Sequence, residues 1–287
     1  MAVVNTNVNA SVAQNALVRN ERNMNTAMER LSTGKRINSA KDDAAGLAIS
    51  SRMTSQIRGL EVGVRNAGDA ISMLSVADGA LVEVGNMLQR MRELALQAGN
   101  GTMTTADRSY LNSEYQNLIT EIERIASNTQ WNGMNVLNQA TDASSTFAYQ
   151  VGANGGQTIE VNFGRIDNTN GSAFTPFDTG NSAVSIAFSN ASAAPNSAGV
   201  LTNIDAAITE LNEQRATFGA AMNQLTYAID NLSNVKVNSE AARSRIEDTD
   251  YAAETSELAR TQIIHQAGVA MLAQANQVTA TVLALLR

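Results

Sequence analysis

Apolar residues recur along this chain at helical spacing. Val3, Ala10, Leu17, Met24 and Leu31 are spaced by seven, and Ala13 and Ala27 follow two of them at +3. One narrow apolar stripe on a helix is predicted, with Asn, Arg and Glu on the other faces. Gly34 ends the pattern, as a glycine just past a helix C-terminus does. A longer series follows: Ile57, Leu60, Val64, Ala67, Ile71, Leu74, Ala77, Leu81, Val84, Leu88, Met91, Ala95 and Ala98 step by three and four. One 3–3 step, through Leu74 and Ala77 before Leu81, shifts the phase locally, as discontinuities in coiled coils do. No proline interrupts the run. A helix over 42–99 would be roughly 85 Å long at ~1.5 Å per residue, against a usual ~11–12 residues.

Asn100-Gly101 predicts its end. A third helix is predicted over 105–127, with Leu111, Tyr115, Leu118, Ile122 and Ile125 on one side, and Asn132-Gly133 reads as a turn. The C-terminal part mirrors the start. Residues 201–235 carry Ile204, Ile208, Leu211, Phe218, Met222, Leu225, Ile229 and Leu232. The last helix carries Ile264, Gly268, Met271, Ala275, Val278, Val282 and Leu285, stepping 4, 3, 4, 3, 4, 3. Between the helical arms the period changes. Residues 147–151 and 158–163 read as strands, 152–156 as a hairpin loop and 184–188 as a third strand. The stretch 139–200 holds one basic residue, Arg165, and the surrounding Asn, Ser, Thr and Gly suit surface loops. The pattern therefore predicts helices, a small β insert and helices again. The two arms must bury against each other or against other copies.

Composition narrows the chemistry. The chain has 287 residues, 44% apolar but 4% aromatic. Small aliphatics without rings suit helix–helix seams better than a thick core. A net charge of −7 argues against a nucleic-acid binder. The absence of Cys excludes disulfides, thiol catalysis and thiolate metal sites. The single histidine, His265, excludes a two-His zinc motif and reads as a core or interface residue. The first residues lack the basic start and unbroken apolar core of a signal peptide. Residues 261–286 carry no Asp, Glu, Lys or Arg, but their Gln, Asn and Thr would leave amides and hydroxyls in hydrocarbon, so a buried helix is expected and no membrane span. Residues 1–65 are net +4 and 201–287 net −4 by the same count. That balance would steer the arms together in a salt-dependent way.

Several long segments read as motifs. Residues 31–50 read LSTGKRINSAKDDAAGLAIS, 244–254 read SRIEDTDYAAE, 266–276 read QAGVAMLAQAN and 282–287 read VLALLR. To these add LQRMRELA at 88–95, NGMNVL at 132–137 and VGANGGQT at 151–158. Together, in this order and spacing, they resemble bacterial flagellins, and the resemblance covers 1–163 and 200–287. Two positions depart from it: Trp131 stands where Phe is expected, and Gln224 where Arg is expected.

The resemblance implies a mainly α fold of long antiparallel helices, with coiled-coil N- and C-terminal arms and a small β-hairpin and outer β insert. It implies three divisions: a paired inner core of 1–41 and 251–287 with a spoke at 32–41; a helical shell of 42–163 and 200–250 with the hairpin at about 146–163; and a variable outer insert, 164–199. It implies a non-enzymatic subunit of the flagellar filament, with no cofactor and no metal, located outside the cell and secreted without a cleaved signal peptide. Its partners would be further copies of itself, an export chaperone and the type III export apparatus, and the filament cap and hook-junction proteins. The inner-core contacts would be Val3, Ala10, Leu17, Met24 and Leu31 against Ile264, Met271, Val278, Val282 and Leu285. Lys35, Arg36 and Lys41 of the spoke would touch neighbouring subunits. Asp42 and Asp43 would meet the dipole of the long helix. Gln89, Arg90, Leu94 and Glu114 coincide with positions that engage Toll-like receptor 5 of animal hosts, with Leu94 as an apolar anchor. Two alternatives remain open: a hook–filament junction protein, or a surface protein that binds a ligand through 164–199. The sequons at Asn170 and Asn190 are short motifs of low specificity.

Overall fold

A computed structural model describes residues 7–138, 146–164, 166 and 197–284, with the side chains of 197–198 and 278–284 left aside. The described chain is mainly α. Its elements are α1 (Val8–Thr33), α2 (Ala44–Ala98), α3 (Thr105–Asn128), β1 (Gln130–Trp131), β2 (Met134–Asn135), β3 (Thr146–Gln150), β4 (Thr158–Asn162), α4 (Ser197–Glu247) and α5 (Tyr251–Ala284). Two compact units form: residues 1–57 with 237–287, and residues 58–236. Both α2 and α4 pass from one unit into the other. The strand expected at 184–188, both sequons and nearly all of the outer insert lie outside the described residues.

In the unit 58–236, α2 and α4 run antiparallel. The ion pairs Asp78–Arg215 (2.8 Å), Arg92–Asp205 (2.7 Å) and Glu61–Lys236 (3.8 Å) step in opposite directions along them. Between them lies the three–four stripe read from the sequence. Leu74, Ala77, Leu81, Val84, Leu88 and Met91 of α2 are fully or almost fully buried, with Ile204, Ala207, Leu211, Phe218 and Leu225 of α4. Removing such side chains from water is worth about 25 cal/mol per Å², which is what holds two helices of this length side by side. The chain turns at Asn100-Gly101 into α3, where Thr104 and Asp107 form a reciprocal capping box. Those hydrogen bonds from Thr104 hold the Asp107 carboxyl below its usual pKa. Tyr115, Ile119, Ile122 and Ala126 of α3 close the same core. The Asn132-Gly133 pair has φ of 50° and 78°, the backbone of a two-residue hairpin turn, and it joins the short strands β1 and β2.

β3 and β4 pair antiparallel from Thr146↔Asn162 to Gln150↔Thr158. The side chain of Phe163, next to β4, meets Phe147 edge-on at 5.1 Å and Phe218 at 5.0 Å, so three of the chain's few rings join the hairpin to α4. The hairpin loop lies directly on α2. A Cβ on Gly63 would stand 2.6 Å from the Val151 carbonyl oxygen, and one on Gly59 2.9 Å from the Ala153 Cβ. These glycines are the sites of close approach between loop and helix.

In the unit formed by 1–57 and 237–287, the loop after α1 clasps the α4–α5 junction. Gly34 ends α1 with φ of 71°. The Arg36 N–H donates to the Glu247 carbonyl (2.7 Å), and the Thr249 N–H donates to the Gly34 carbonyl (3.1 Å). The Arg36 guanidinium donates to the Ile246 carbonyl at 2.7 Å, in the last turn of α4 where carbonyls lack helical partners. Lys35 pairs with Glu247 at 2.5 Å. Lys35 and Arg36 are thus engaged within the chain, while Lys41 stays exposed. A correction concerns Asp42. Asp43 does cap α2, accepting from the Gly46 N–H at 2.9 Å. Asp42 instead accepts from the N–H groups of Asn38 and Ser39 (3.2 and 2.9 Å), which lower its pKa. It shapes the loop rather than meeting the helix dipole.

Gly63→Ala is expected to destabilise the chain by about 1–3 kcal/mol, because backbone has to move to admit the methyl. Gly68→Ala, where nothing lies within 4 Å, is expected to be neutral or stabilising by up to about 1 kcal/mol; urea denaturation compares the two. Glu210 of α4 supplies a pH test. Its Oε2 is buried without a hydrogen-bond partner, and burial, followed by the nearby Glu213, raises its pKa. A raised folded-state pKa gives stability that is present below the unfolded value and lost as pH rises through the folded one. Glu210→Gln is therefore expected to melt above the parent chain at pH 7. The difference should close as the buffer is taken below about pH 4.

Candidate assembly surface on the paired terminal helices

α1 and α5 pair antiparallel. The Asn7 amide donates to the Ala275 carbonyl (3.0 Å), the Asn20 amide to the Thr261 carbonyl (2.7 Å), and Arg30 faces Glu254 at 3.7 Å. The charge balance read from the sequence places one cation and one anion here, both partly buried. Most of the seam is small. Ala13, Leu17, Met24, Ala27 and Leu31 turn inward from α1, all but Ala27 only half-buried. Gly268 of α5 lies against Leu17, whose Cγ would be 3.2 Å from a Cβ there. Asn20 and Thr261 are the buried polar members. Both are satisfied: the Thr261 hydroxyl donates back to the Glu257 and Leu258 carbonyls at 2.9 Å, as buried polar groups require.

The expected inner-core residues divide. Ala10, Leu17, Met24 and Leu31 lie on the inward side of α1. On α5 the half-buried or buried face is Thr261, His265, Gly268, Leu272 and Ala275. Ile264 and Met271 are 44% and 66% exposed. Two members of the expected stripe, Gly268 and Ala275, thus lie on this face, while Ile264 and Met271 stand beside it, because apolar residues occur on more than one side of this helix and a search for hydrophobic spacing has no unique answer on it. His265, read from the sequence as a core or interface residue, is on this face; Thr261 was missed, because a polar member of a seam carries no hydrophobic signal. Val3 and Leu285 lie outside the described residues, and the side chains of Val278 and Val282 are likewise not described.

The open side of the pair is a groove of about 580 Å³. Val12, Ala13, Ala16 and Leu17 line it from α1, and Ile264, Gly268, Met271 and Ala275 from α5, with Asn9, Asn20 and Gln274 as its polar members. Val12 and Met271 are each about two-thirds exposed, and Val8 and Ile263 add further exposed apolar surface on the same two helices. A helix with apolar residues on more than one face is normally covered on more than one; here α1 covers one.

The second group lies in the other unit. Arg90 of α2 reaches Glu114 of α3 at 2.9 Å and Glu93 at 3.0 Å. Those bonds, Glu114 first, bind its proton still more firmly. Gln89 is exposed near by in sequence. Leu94 is not: it is fully buried in the core with Met91 and Ala95. The expectation that Leu94 presents an apolar anchor is corrected, because its position three residues after Met91 turns it to the inward stripe of α2.

These features define a class: a mainly α structural protein whose ends fold back on each other and leave apolar surface open. Comparison with known proteins names the family. Residues 4–142 match the bacterial flagellin N-terminal helical region and residues 201–286 the bacterial flagellin C-terminal helical region. A flagellin of Halalkalibacterium halodurans is 43% identical over 285 residues, spanning 99% of this chain and 100% of that protein. The "Flagellar filament 33 kDa core protein" of Treponema phagedenis is 39% identical over 292 residues, with 99% and 100% covered. The crystal structure of Bacillus cereus flagellin aligns with 33% identity over 58% of this chain and 88% of that one, at a TM-score of 0.46. The chain belongs to the bacterial flagellin family. It is a structural subunit of the flagellar filament.

Asn20→Ala is expected to weaken the α1–α5 pairing by about 1–2 kcal/mol, through loss of a buried hydrogen bond. Faster hydrogen exchange confined to α1 and α5 would check it. Thr26→Ala on the exposed side of α1, whose hydroxyl bonds only its own helix, is expected to leave exchange unchanged.

Proposed function

We propose that the chain polymerises through the α1–α5 pair, other copies covering the open groove, so that the terminal helices become the inner wall of the tube. One observation carries this reading: Val12, Ile264 and Met271 line a shared apolar groove yet stay exposed at 63%, 44% and 66%. An isolated soluble chain gains nothing by exposing contiguous apolar surface, and such a patch marks an interaction site. On this reading 1–41 and 251–287 form the inner core, 42–163 and 200–250 the shell, and 164–199 the outward insert. Clasping of 34–36 against 246–249 holds the end of α1 to the start of α5, so that the pair enters the polymer as one part.

The family resemblance supports the remaining partners. The chain would be handed unfolded by a chaperone to the type III export apparatus, without a cleaved signal peptide, and would assemble between hook-junction and cap proteins. Receptor recognition in animal hosts would rest on Gln89, Arg90 and Glu114; the buried Leu94 would act only by holding α2 in place.

Val12→Asp and Ile264→Asp test the central reading. Both positions are exposed, so the free chain should lose no more than about 0.5 kcal/mol of stability. Seeded assembly, followed by light scattering and negative-stain microscopy, should be abolished in both. Deletion of residues 1–35 should abolish it too. Filaments formed normally by the two Asp variants would sink the groove as the assembly surface.

A further inference from the structure

The groove holds an oxidisable atom at the place where the proposed assembly surface is most apolar. Among the described residues three methionines are strongly exposed: Met271 at 66%, Met28 at 49% and Met134 at 45%. Met271 alone of these lines the groove, across from Val12 and Ala16. A thioether is soft, polarisable and apolar in its contacts. Its sulfoxide is polar and chiral, and it disrupts methionine-containing interfaces.

We infer that Met271 is a redox-sensitive modification site: a hydroperoxide oxidises it in the unassembled chain, and the sulfoxide blocks entry into the filament until it is reduced. The inference rests on the assembly reading above. In the step, the Met271 sulfur attacks one peroxide oxygen, the S–O bond forms as the O–O bond breaks, and two electrons pass from sulfur to peroxide. The leaving hydroxide takes the proton of the new S–OH group and departs as water, and the sulfoxide remains. The free chain offers the atom to solvent; a copy seated in the groove would shield it. Oxidation therefore acts on subunits before assembly and spares those already built in. The groove has few groups with which to satisfy the new oxygen. Of its polar members Asn20 already commits its amide to the Thr261 carbonyl, which leaves Asn9 and Gln274, and the other α1 residues opposite are Val12, Ala13, Ala16 and Leu17. An unsatisfied polar atom buried on assembly is worth about tenfold to hundredfold in association.

The test treats the purified full-length chain with hydrogen peroxide and maps the sulfoxides by peptide mass spectrometry. Assembly on filament seeds is then followed by sedimentation. The critical concentration of the Met271-oxidised chain is expected to rise about tenfold or more, and methionine sulfoxide reductase is expected to restore it. The critical concentration of M271L, whatever its untreated value, is expected to be unchanged by peroxide, although Met28 and Met134 are still oxidised. The inference is overturned if chain fully oxidised at Met271 assembles like untreated chain. It is equally overturned if peroxide inhibits M271L as strongly as the parent, or if reductase removes the sulfoxide without restoring assembly. Failure of the untreated parent to extend seeds at any concentration would sink the assembly reading, and this inference with it.

Discussion

Everything distinctive in the terminal helices follows from one mismatch: α5 carries apolar residues on more than one face, among Gln, Asn and Thr, and a single helix covers one of those faces. A helix in water hides one stripe and wets the rest. α5 has Thr261, His265, Gly268, Leu272 and Ala275 toward α1 and Ile264 and Met271 away from it. No rotation of the helix hides both sets at once. The unmet burial is a driving force for association, supplied to every copy of the chain at the same place, and association of identical copies through unlike surfaces builds open helical polymers. Flagellins are filament subunits, and on the proposed assembly the open face of α5 is where a neighbouring copy would seat.

The unit 58–236 buries its main apolar stripes within the chain. Its α2 and α4 stripes face each other, α3 and the β3–β4 hairpin close the remaining sides, and three interhelical ion pairs run along the rim. The difference between the units is one of partners rather than of residues, since both use the same Ala, Leu, Ile, Val and Met. One is satisfied within the chain and is stable by packing. The other pairs through a seam of small and half-buried groups, with two asparagine amides bonding to the facing helix backbone. Polar contacts of that kind fix register more than they add stability.

Much of this was legible in the sequence where periodicity had a single solution. The α2 stripe, the α3 boundaries, the Gly34 stop, the Asn132-Gly133 turn and both strands of the hairpin followed from spacing and turn chemistry, because each local preference agreed with its surroundings. The phase of α5 did not, because apolar residues on more than one side leave several equivalent stripes. Nor did the clasp. Arg36 capping the last turn of α4, and Asp42 turning back to Asn38 and Ser39, depend on carbonyls and amides brought together from distant parts of the chain. Charged residues in a loop read as solvated or as contacts to another molecule until the fold shows the orphaned carbonyl beside them. Leu94 failed for a related reason: a resemblance transfers a position but not its burial.

The central claim is that the α1–α5 groove is open in the free chain and covered in the filament. The chain has no cysteine, so a single Val12→Cys substitution places one thiol in the groove without background. The measurement is its rate of labelling by a water-soluble maleimide, in free subunits and in intact filaments. The account predicts rapid labelling of the free chain and strong protection after assembly. Equal rates in the two states would contradict it and leave the apolar face of α5 without an explanation.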